Sequence, residues 1–596
     1  MKKFLSIVLC FAVIFSSCAV MANASLTGKI TESYESRTAF GNKINDIIQS
    51  IVKGICKIYP NPRSWKALED FDYDENFVYT EKSGRQTELS EPVQGAKWSF
   101  GYASGSIIPS DMEEGKYYMG RQLNISSTTS HAKASGVLDD QRVRVVCIDD
   151  GSGKGAVVMA VVDGLGVGSG VIRKIREAVS SYTESGKIAA VNVSATHCHS
   201  ALDTQGVSTS FLKVLFSNIF TNILGLDRAE TENDAFRDNI VCVTAEKIKE
   251  AYENMATGTL YYDSAKMGSV AADKRGYIDP EDNADIGILR FEPDDENIKG
   301  TYMVSLACHP TIVSASAEMV SADYIYYFDK TIQKAGYNFI MYQGAVGQVS
   351  RYDTVDTAQY NVISTEEKIK ERVGEEVFEK SNCAYADAFG EKLASIILAA
   401  KSDDSYAKEE ILKPYINTRY SSIIFTASNY TLHLACQCRL VDNEVCTTGK
   451  GLDDVCIPSE IGYIELGGKM AFGLFPCELY PEVFAGEEVI TVNKQGYSWD
   501  GNGWDYPAAQ QMVKEGIDLY CICFANDYIG YVVPDNFYSG WGHWALKHSD
   551  EATAPTEYDS SASIFDYAFR GTADQLLSAD KTCASKIMEA FQNLVK

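Results

Sequence analysis

The chain has few basic residues for its size, and this shortage limits what it can bind. Lys and Arg together number 54 against 81 Asp and Glu, which leaves a formal net charge of −27 over 596 residues. Binding to nucleic acid depends on Lys and Arg neutralising backbone phosphates, so we expect no nucleic-acid partner. A strongly acidic, self-repelling surface is typical of a soluble protein.

Long apolar runs, repeats and linkers are also missing after the N-terminus. No later segment reaches the length of about 18 apolar residues that a transmembrane helix needs. No fixed-period repeat and no Pro- or Ser-rich linker divides the chain. Length alone would allow roughly two to four domains, but the uninterrupted pattern favours one large domain.

The N-terminus has the pattern of a secretory signal peptide. Residues 1–3 are basic, residues 4–15 are apolar, and Ala-Asn-Ala at 22–24 is a small-residue cleavage site. We therefore predict a signal peptide over residues 1–24, cleavage after Ala24 and a secreted or cell-surface protein. A lipoprotein anchored at Cys18 is the alternative, because residues 15–18 loosely resemble a lipobox.

Cysteine is informative through its placement. Sixteen cysteines would suggest disulfides in an exported protein, but many lie inside apolar runs, where a free thiol behaves as a small hydrophobe. The C-x-C pairs at 436–438 and 521–523 lack the C-x2-C spacing of zinc ribbons. We predict mostly buried thiols, with one or two bridges among Cys438, Cys446 and Cys456.

Hydrophobic periodicity predicts an α/β fold with mixed sheets. Residues 25–95 are expected to form a small N-terminal extension with an amphipathic helix over 38–57, and residues 96–596 one large catalytic domain. Strands are predicted at 143–148, 156–162, 188–195, 258–262, 286–291, 302–307, 337–342, 420–425, 431–440, 461–466 and 470–475. Helices are predicted at 171–182, 208–224, 232–255, 322–335, 365–400 (interrupted near Asn382) and 572–595.

Histidine is scarce, with seven in the chain, and two of them follow the predicted strand 188–195. Ligands of open α/β sheets bind at the carboxyl ends of strands. In an extended chain His197 and His199 would share one face, with Cys198 turned away. Taken alone, the pair fits a metal or catalytic site and an ordinary polar strand end equally well.

Three more polar groups follow predicted strands. His309 follows the strand near 303–308, a glycine-rich turn carrying Ser350 follows 337–342, and Glu478 follows 470–475. A catalytic zinc ion takes about three protein ligands of N or O type and keeps an open position for water. Two imidazoles and a carboxylate from separate strands would satisfy this, although Glu478 could also belong to a solvated helix start.

These motifs, in this order, resemble the neutral (non-lysosomal) ceramidases, which are zinc-dependent amidases. Thr-His-Cys-His-Ser at 196–200 resembles the family's T-H-T-H-S, Gly-Gln-Val-Ser at 347–350 its G-D-V-S, and Pro-Cys-Glu at 476–478 its P-G-E. The likeness runs from about residue 100 to 565. It implies one Zn²⁺ per chain, held by His197, His309, Glu478 and Tyr531, the last from the segment Asn-Asp-Tyr-Ile-Gly-Tyr at 526–531.

The resemblance also implies four catalytic residues. They are Ser350, His199, Arg275 in Lys-Arg-Gly-Tyr at 274–277, and Tyr558 in the segment 557–563. His199 and Tyr558 would stabilise the oxyanion. Ser350 would be either the nucleophile or the anchor of a substrate hydroxyl, and the sequence leaves both roles open.

The departures from the family concern the substrate side. Gln348 replaces an Asp, residues 532–556 exceed the usual spacer, and only about 30 residues follow Phe565, so the family's C-terminal immunoglobulin-like domain is not expected. We predict hydrolysis of the amide bond of an N-acyl sphingoid or related amphiphile, with peripheral contact to membrane lipid. The alternatives are a zinc esterase or amidase with another substrate, and a non-catalytic lipid- or glycan-binding surface protein.

Other potential ligands have structural interpretations that we favour. Cys198 is predicted to be a packed thiol, and His543 and His548 to belong to a loop or pocket lid. His433 is predicted to be an ordinary surface or sheet residue. Asp149, Asp150 and Asp163, which lie at strand ends, are predicted to cap helices rather than hold a second metal.

Overall fold

The computed structural model of this chain has a mixed α/β fold. It describes residues 34–82, 86–120, 133–208, 211–228, 230–231, 233–267, 270–273, 285–314, 317–347, 349–351, 367, 370–371, 373–400, 409–449, 454–486, 506–535 and 578–596. The strands are β1 (Lys66–Ala67), β2 (Trp98–Ser106), β3 (Gly136–Val137), β4 (Arg142–Asp149), β5 (Ala156–Val162), β6 (Ile188–Ala195), β7 (Ala256–Ala265), β8 (Ala271–Asp273), β9 (Ile286–Pro293), β10 (Thr301–Leu306), β11 (Met319–Val320), β12 (Asn338–Gln343), β13 (Val349–Arg351), β14 (Glu410–Ile411), β15 (Ile416–Thr426), β16 (Cys446–Thr447), β17 (Val455–Leu466), β18 (Met470–Leu474), β19 (Glu478–Leu479), β20 (Asp518–Ile522) and β21 (Tyr531–Val532). The helices are α1 (Tyr34–Ile58), α2 (Ser169–Ala178), α3 (Ser180–Glu184), α4 (Phe211–Leu224), α5 (Asp234–Glu253), α6 (Tyr324–Lys334), α7 (Glu375–Ser381), α8 (Cys383–Ala400), α9 (Tyr430–Gln437), α10 (Pro481–Phe484), α11 (Ala509–Met512) and α12 (Cys583–Val595).

The larger sheet mixes parallel and antiparallel pairs. Within the described residues it has nine strands in the order β12-β10-β9-β7-β2-β4-β5-β6, with β14 added to β7. The pairs β10–β12 and β5–β6 are parallel, and the intervening pairs are antiparallel. Strand β5 is buried along its whole length, as expected of a strand that is covered on both faces.

The second sheet packs face to face against the first. Its order is β1-β16-β17-β18-β20, with β15 paired to β17. Apolar side chains of both sheets form one shared core, for example Phe100 from the first and Phe472 from the second. The hairpin β17–β18 turns through Gly467 and Gly468, whose φ angles of 62° and 66° lie in the region that glycine adopts without strain.

Helices cover the outer faces of the two sheets. Helices α5, α6 and α8 pack on the larger sheet, and α2 packs on α5. Helix α12 packs on β15 and β17 of the second sheet. The result is a layered structure with a helical layer on each side of two central sheets, and it confirms the predicted fold class.

The larger sheet curls so far that its two ends approach each other. Strand β12 lies at one end of the strand order, yet it contacts β4, β5 and β6 at the other end. The hydroxyl of Tyr342 on β12, for example, donates a hydrogen bond to the carbonyl of Met159 on β5 at 3.1 Å. This curl brings the loops that follow β6 and β10 into the same region.

The N-terminal segment is helical, as predicted, and is attached to the second sheet. Helix α1 ends at Ile58, just before Pro60 and Pro62, which cannot continue it. It packs against α9, and β1 pairs with β16. Tyr79 is buried in the core shared by the two sheets.

The periodicity identified most elements correctly. Strands β5 and β6 have the predicted bounds, and the predicted break near Asn382 separates α7 from α8. Asn382 has φ 56°, a left-handed conformation that Asn tolerates better than most residues and that ends a helix.

Three predictions of local structure are wrong. Residues 431–440 are not a strand, because Asn429 caps helix α9 by accepting a hydrogen bond from the Thr431 backbone N–H, and His433 is fully buried there. The cysteines expected to form bridges (438, 446 and 456) are all free thiols. Cys242, one of the cysteines within apolar runs that were expected to be buried, is instead exposed on helix α5, whose helical structure was predicted.

Several predictions lie outside the described residues. These are the signal peptide at 1–24, most of the insertion at 532–556, and residues 572–577 of the last predicted helix. Residues 578–582 are described but are not helical, so this helix begins later than predicted, at Cys583. Among the helices that the structure describes, none is long and apolar enough to cross a membrane.

Candidate functional site

His197 occupies a strained position just after β6. Its backbone has φ 62°, so the chain turns sharply after the strand instead of continuing the extended alternation expected from sequence. The imidazole is buried, and its Nδ1–H donates to the carbonyl oxygen of Leu165 at 2.7 Å. A carbonyl can only accept a hydrogen bond, which fixes the tautomer and leaves Nε2 with its lone pair unless the ring is protonated.

His309 is held in the same way after β10. Its backbone N–H and its Nδ1–H both donate to the carbonyl of Val349, at 3.0 Å and 2.9 Å. Burial lowers the pKa of His309 despite the nearby Glu478 carboxylate, so the imidazole is neutral near pH 7. Its Nε2 therefore also carries a lone pair.

Glu478 joins these two imidazoles from strand β19, which follows strand β18 of the second sheet. Its Oε2 lies 3.3 Å from Nε2 of His197, and its Oε1 lies 3.2 Å from Nε2 of His309. Burial opposes ionisation of this carboxyl group, and positive charge on the side of the two imidazoles is what holds the pKa of Glu478 well below its usual value. A buried carboxylate here therefore requires either a protonated imidazole or a bound cation beside it.

These atoms fit a bound metal ion better than a closed hydrogen-bond network. No described residue donates a hydrogen bond to either oxygen of Glu478, and the lone pair of neutral His309 faces one of them. A cation between the atoms would relieve this repulsion. Tetrahedral coordination with bonds of about 2.0–2.2 Å, as in zinc sites, separates neighbouring ligand atoms by roughly 3.3–3.5 Å, close to the separations of 3.2 Å and 3.3 Å seen here.

His199 lies beside this group. One ring nitrogen from each of His197, His199 and His309 lies within 4.8 Å of the others, so the three imidazoles alone also form a possible metal cluster. The ring centroid of His199 is 4.8 Å from that of His197 and 5.6 Å from that of His309. His199 is half-buried, whereas His197 and His309 are buried.

Tyr531 is the backbone neighbour of Glu478. The two residues are register partners in the parallel ladder β19–β21, and the Glu478 N–H donates to the carbonyl of Gly530 at 2.9 Å. Register partners of a ladder project to the same side. The Tyr531 side chain is buried on the side of the ladder that carries the carboxylate.

Ser350 directly follows Val349, whose carbonyl accepts the hydrogen bonds from His309. It lies in β13, directly after Val349, and pairs with Ala272 of β8. Its side chain is buried. Two other predicted site residues, Arg275 and Tyr558, lie outside the described residues, as does Gln348.

The loop after β20 connects the two sheets at this point. The Asn526 backbone N–H donates to the Val193 carbonyl at 2.7 Å, and its Oδ1 accepts from the Val193 N–H at 3.0 Å. The Cys523 N–H donates to the Gln343 carbonyl at 2.8 Å at the end of β12. The loop that leads to Tyr531 is thus tied by hydrogen bonds to β6, which precedes His197, and to the end of β12.

The aromatic contacts of His197 were not predicted from the sequence. The ring of Phe524 stacks on the imidazole with centroids 4.3 Å apart and planes 8° apart, and Tyr528 lies at 6.3 Å. Both follow strand β20, so a search for side chains after strand ends would have found them. The supporting carbonyls of Leu165 and Val349 have no sequence signal, because every residue has a carbonyl.

Cys198 is a packed thiol, as predicted. It is fully buried, and its Sγ donates to the carbonyl of Ser321 at 3.2 Å. Burial raises its pKa well above the usual value, which disfavours the thiolate that metal binding requires. Asp163, predicted to cap a helix, instead forms a buried ion pair with Arg144.

Comparisons with known proteins support the fold of this chain only. No family model matches the sequence, and no curated protein matches it. Among solved structures, the chain is similar to the neutral ceramidase from Pseudomonas aeruginosa, with a TM-score of 0.48 and 14% identity over 83% of this chain and 75% of that chain.

A second similar structure is described as a ceramidase complexed with C2. Its TM-score is 0.50 and its identity 13%, over 84% of this chain and 75% of that chain. At this identity the likeness concerns the fold alone. The chain therefore has a fold of the ceramidase type, with a histidine cluster that is able to hold a metal ion.

Proposed function

We propose that this chain is a zinc-dependent hydrolase of the neutral ceramidase type that cleaves the amide bond of an N-acyl sphingoid or a related N-acyl amphiphile. The main support is the buried Glu478 carboxylate, whose two oxygens face the Nε2 atoms of His197 and His309 at 3.3 Å and 3.2 Å without a hydrogen-bond donor from the described residues. The ceramidase-type fold supports the choice of reaction.

In this proposal His197, His309, Glu478 and Tyr531 hold one Zn²⁺. The ion would supply a Lewis acid for the amide carbonyl and a lower pKa for water. The carbonyls of Leu165 and Val349 orient the imidazoles so that each presents Nε2 to the site, as second-shell acceptors do for metal-bound His.

The remaining residues would act on the substrate. His199, half-buried beside His197, would donate a ring N–H to the developing oxyanion, and Tyr558 would donate a second hydrogen bond. Arg275 would bind substrate. Ser350 would either attack the carbonyl carbon or anchor a substrate hydroxyl. We also propose that the mature protein is secreted or held at the cell surface, given the signal-peptide pattern of residues 1–24.

Metal analysis of the purified full chain tests the site. We expect about one zinc per chain in the wild type and at least a tenfold loss of occupancy in Glu478→Gln, because the amide cannot supply an anionic ligand. Glu465→Gln is the matched control, since Glu465 is a buried glutamate of strand β17 in the second sheet that accepts hydrogen bonds from Asn417 and Tyr463. Wild-type protein without bound metal after zinc reconstitution would refute the proposal.

The same metal-replete protein can then be offered a panel of substrates. We expect release of fatty acid from an N-acyl sphingosine, and slower release from short-chain amides and esters. Ser350→Ala should bind zinc normally and lose turnover by about 100-fold or more if the serine takes part in the chemistry. Unchanged turnover in this variant would limit Ser350 to structure, and cleavage of esters alone would contradict the amide substrate.

A further inference from the structure

The short connection between β11 and α6, residues 321–323, ends in a strained and buried aspartate. Asp323 has φ 57° and ψ −149°, at the edge of a region that is almost exclusive to glycine. Its side chain is fully buried, and the mechanism proposed above does not use it. Strain of this kind persists only where the surroundings hold the residue in place, and it is common at functional sites.

The carboxylate of Asp323 binds the loop that follows His309. Its Oδ2 accepts a hydrogen bond from the backbone N–H of Val313 at 2.7 Å, and its Oδ1 accepts one from the N–H of Tyr324 at 2.6 Å. The hydroxyl of Tyr324 in turn donates to the carbonyl of Cys308 at 2.7 Å. Asp323 thus holds the chain on both sides of His309.

Ser321, at the start of the 321–323 connection, binds the loop that carries His199. Its carbonyl accepts hydrogen bonds from the thiol of Cys198 and the hydroxyl of Ser200, both at 3.2 Å. Its N–H donates to the Ser200 carbonyl at 2.9 Å. The hydroxyl of Ser321 accepts from the N–H of Asp323 at 2.9 Å. Both neighbours of His199 are therefore held by a residue that is bonded to Asp323.

The 321–323 connection is itself anchored to the larger sheet. The hydroxyl of Ser321 donates to Oδ2 of Asp139 at 2.6 Å, and the N–H of Ala322 donates to Oδ1 of the same residue at 2.7 Å. Asp139 lies just before strand β4. Since the connection is fixed, the two histidine loops that it binds are fixed relative to each other.

We propose that Asp323 is a positioning residue that sets where His199 stands relative to His309. The ring centroids of these two residues are 5.6 Å apart, and each ring comes from a loop that the 321–323 connection binds. A carboxylate suits this role because it offers an acceptor oxygen on each side, whereas Asn offers only one. The effect of Asp323 on turnover rests on the proposed function, in which His199 donates to the oxyanion, but its effect on the cluster does not.

Crystal structures of the metal-free full chain test the geometry. In Asp323→Asn we expect the ring separation of His199 and His309 to change by about 1 Å, the size of misplacement that matters for catalysis, because an NH2 group would face a backbone N–H donor. Asp150→Asn is the matched control and should keep the wild-type separation. The buried Asp150 also accepts two backbone N–H bonds, at 2.9 Å and 2.8 Å, at the opposite end of β5 from His197.

An unchanged separation in Asp323→Asn, or an equal change in the control, would overturn the proposal. If Asp323→Asn does not fold, Ser321→Ala decides the question, since it keeps the carboxylate and removes only the hydroxyl that joins Asp323 to the loop of His199. This variant should displace His199 and leave His309 in place. A His199 that does not move would equally overturn the proposal.

Turnover of an N-acyl sphingosine by the zinc-loaded chain shows whether Asp323 acts through His199. Asp323→Asn should lower kcat about 10- to 100-fold with little change in KM, because the oxyanion donor is misplaced. In a His199→Ala background the same substitution should lower kcat by less than about threefold. Fully additive losses would show that Asp323 does not act through His199. A wild type that binds zinc and cleaves nothing would refute the proposed function and leave the crystal structures to decide this proposal.

Discussion

At the scale of single residues, the orientation of His197 is the most closely controlled feature of the site. A left-handed backbone costs a non-glycine residue about 1–2 kcal/mol, and His197 adopts it with φ 62°. Two contacts compensate: the hydrogen bond to Leu165 and the stacked ring of Phe524. Strain maintained by its surroundings is common at functional sites.

Phe524→Leu should therefore weaken metal binding without removing a ligand. The smaller, non-planar side chain leaves the imidazole free to tilt, and changes around metal ligands commonly cost about 10–100-fold in affinity. Competition with a chromophoric chelator measures the zinc affinity. Phe591→Leu, which replaces another fully buried Phe in helix α12, is the control for lost packing. If both variants bind zinc like the wild type, Phe524 does not position His197.

At the scale of elements, the loop between β20 and β21 is fixed by Asp527. This fully buried carboxylate accepts hydrogen bonds from the backbone N–H of Ser169, the first residue of α2, at 2.9 Å, and from the Asn443 side chain at 2.7 Å. Burial raises its pKa to about 6 despite these donors. The loop that leads to Tyr531 is thus joined to the start of a helix by a group that titrates in mild acid.

The raised pKa has a consequence for stability. Between the unfolded pKa of about 3.9 and the folded value, the folded state binds more protons, so this group's contribution to the free energy of unfolding falls as the pH rises. Asp527→Asn removes that dependence. From pH 4 to pH 6 the free energy of unfolding of the variant should therefore rise relative to that of the wild type. The largest expected change is roughly 3 kcal/mol, since each pKa unit between the folded and unfolded values is worth 1.36 kcal/mol. Urea unfolding followed by fluorescence at each pH measures this difference. A constant difference across this range would contradict the expectation.

At the scale of the whole molecule, the candidate ligands come from both sheets. His197 and His309 follow strands of the larger sheet, whereas Glu478 and Tyr531 lie in the short β19–β21 ladder that follows strands of the second. An ion held by all four would crosslink the layers of the fold, and a ligand that binds only the folded state stabilises it.

Chelation should consequently lower the melting temperature of the wild type. At a free metal concentration of 100 times Kd the stabilisation is about 2.7 kcal/mol, so calorimetry with and without a chelator should show a clear shift. Glu478→Gln should melt at the same temperature in both conditions. The opposite outcome is a wild-type melting temperature that is the same before and after metal removal that has been verified by metal analysis. That result would show that a metal ion does not stabilise the packing of the two sheets.

The sequence alone determined the elements and the order of the motifs. Strands β5 and β6, the glycine hairpin β17–β18 and the helix break at Asn382 follow from local patterns, because periodicity, turn residues and caps act over a few neighbours. The positions of His197, His309 and Glu478 after strands were visible for the same reason. The strand predicted at 431–440 failed because the cap at Asn429 outweighed its alternating pattern.

Only the tertiary structure decided how these residues meet. The curl of the larger sheet brings the loops after β6 and β10 together, and packing of the second sheet adds Glu478 between them. The left-handed turn at His197, the carbonyls of Leu165 and Val349 and the 321–323 connection likewise depend on contacts between distant segments. Such contacts leave no local pattern, because their energy comes from surfaces that become neighbours only when the chain is folded.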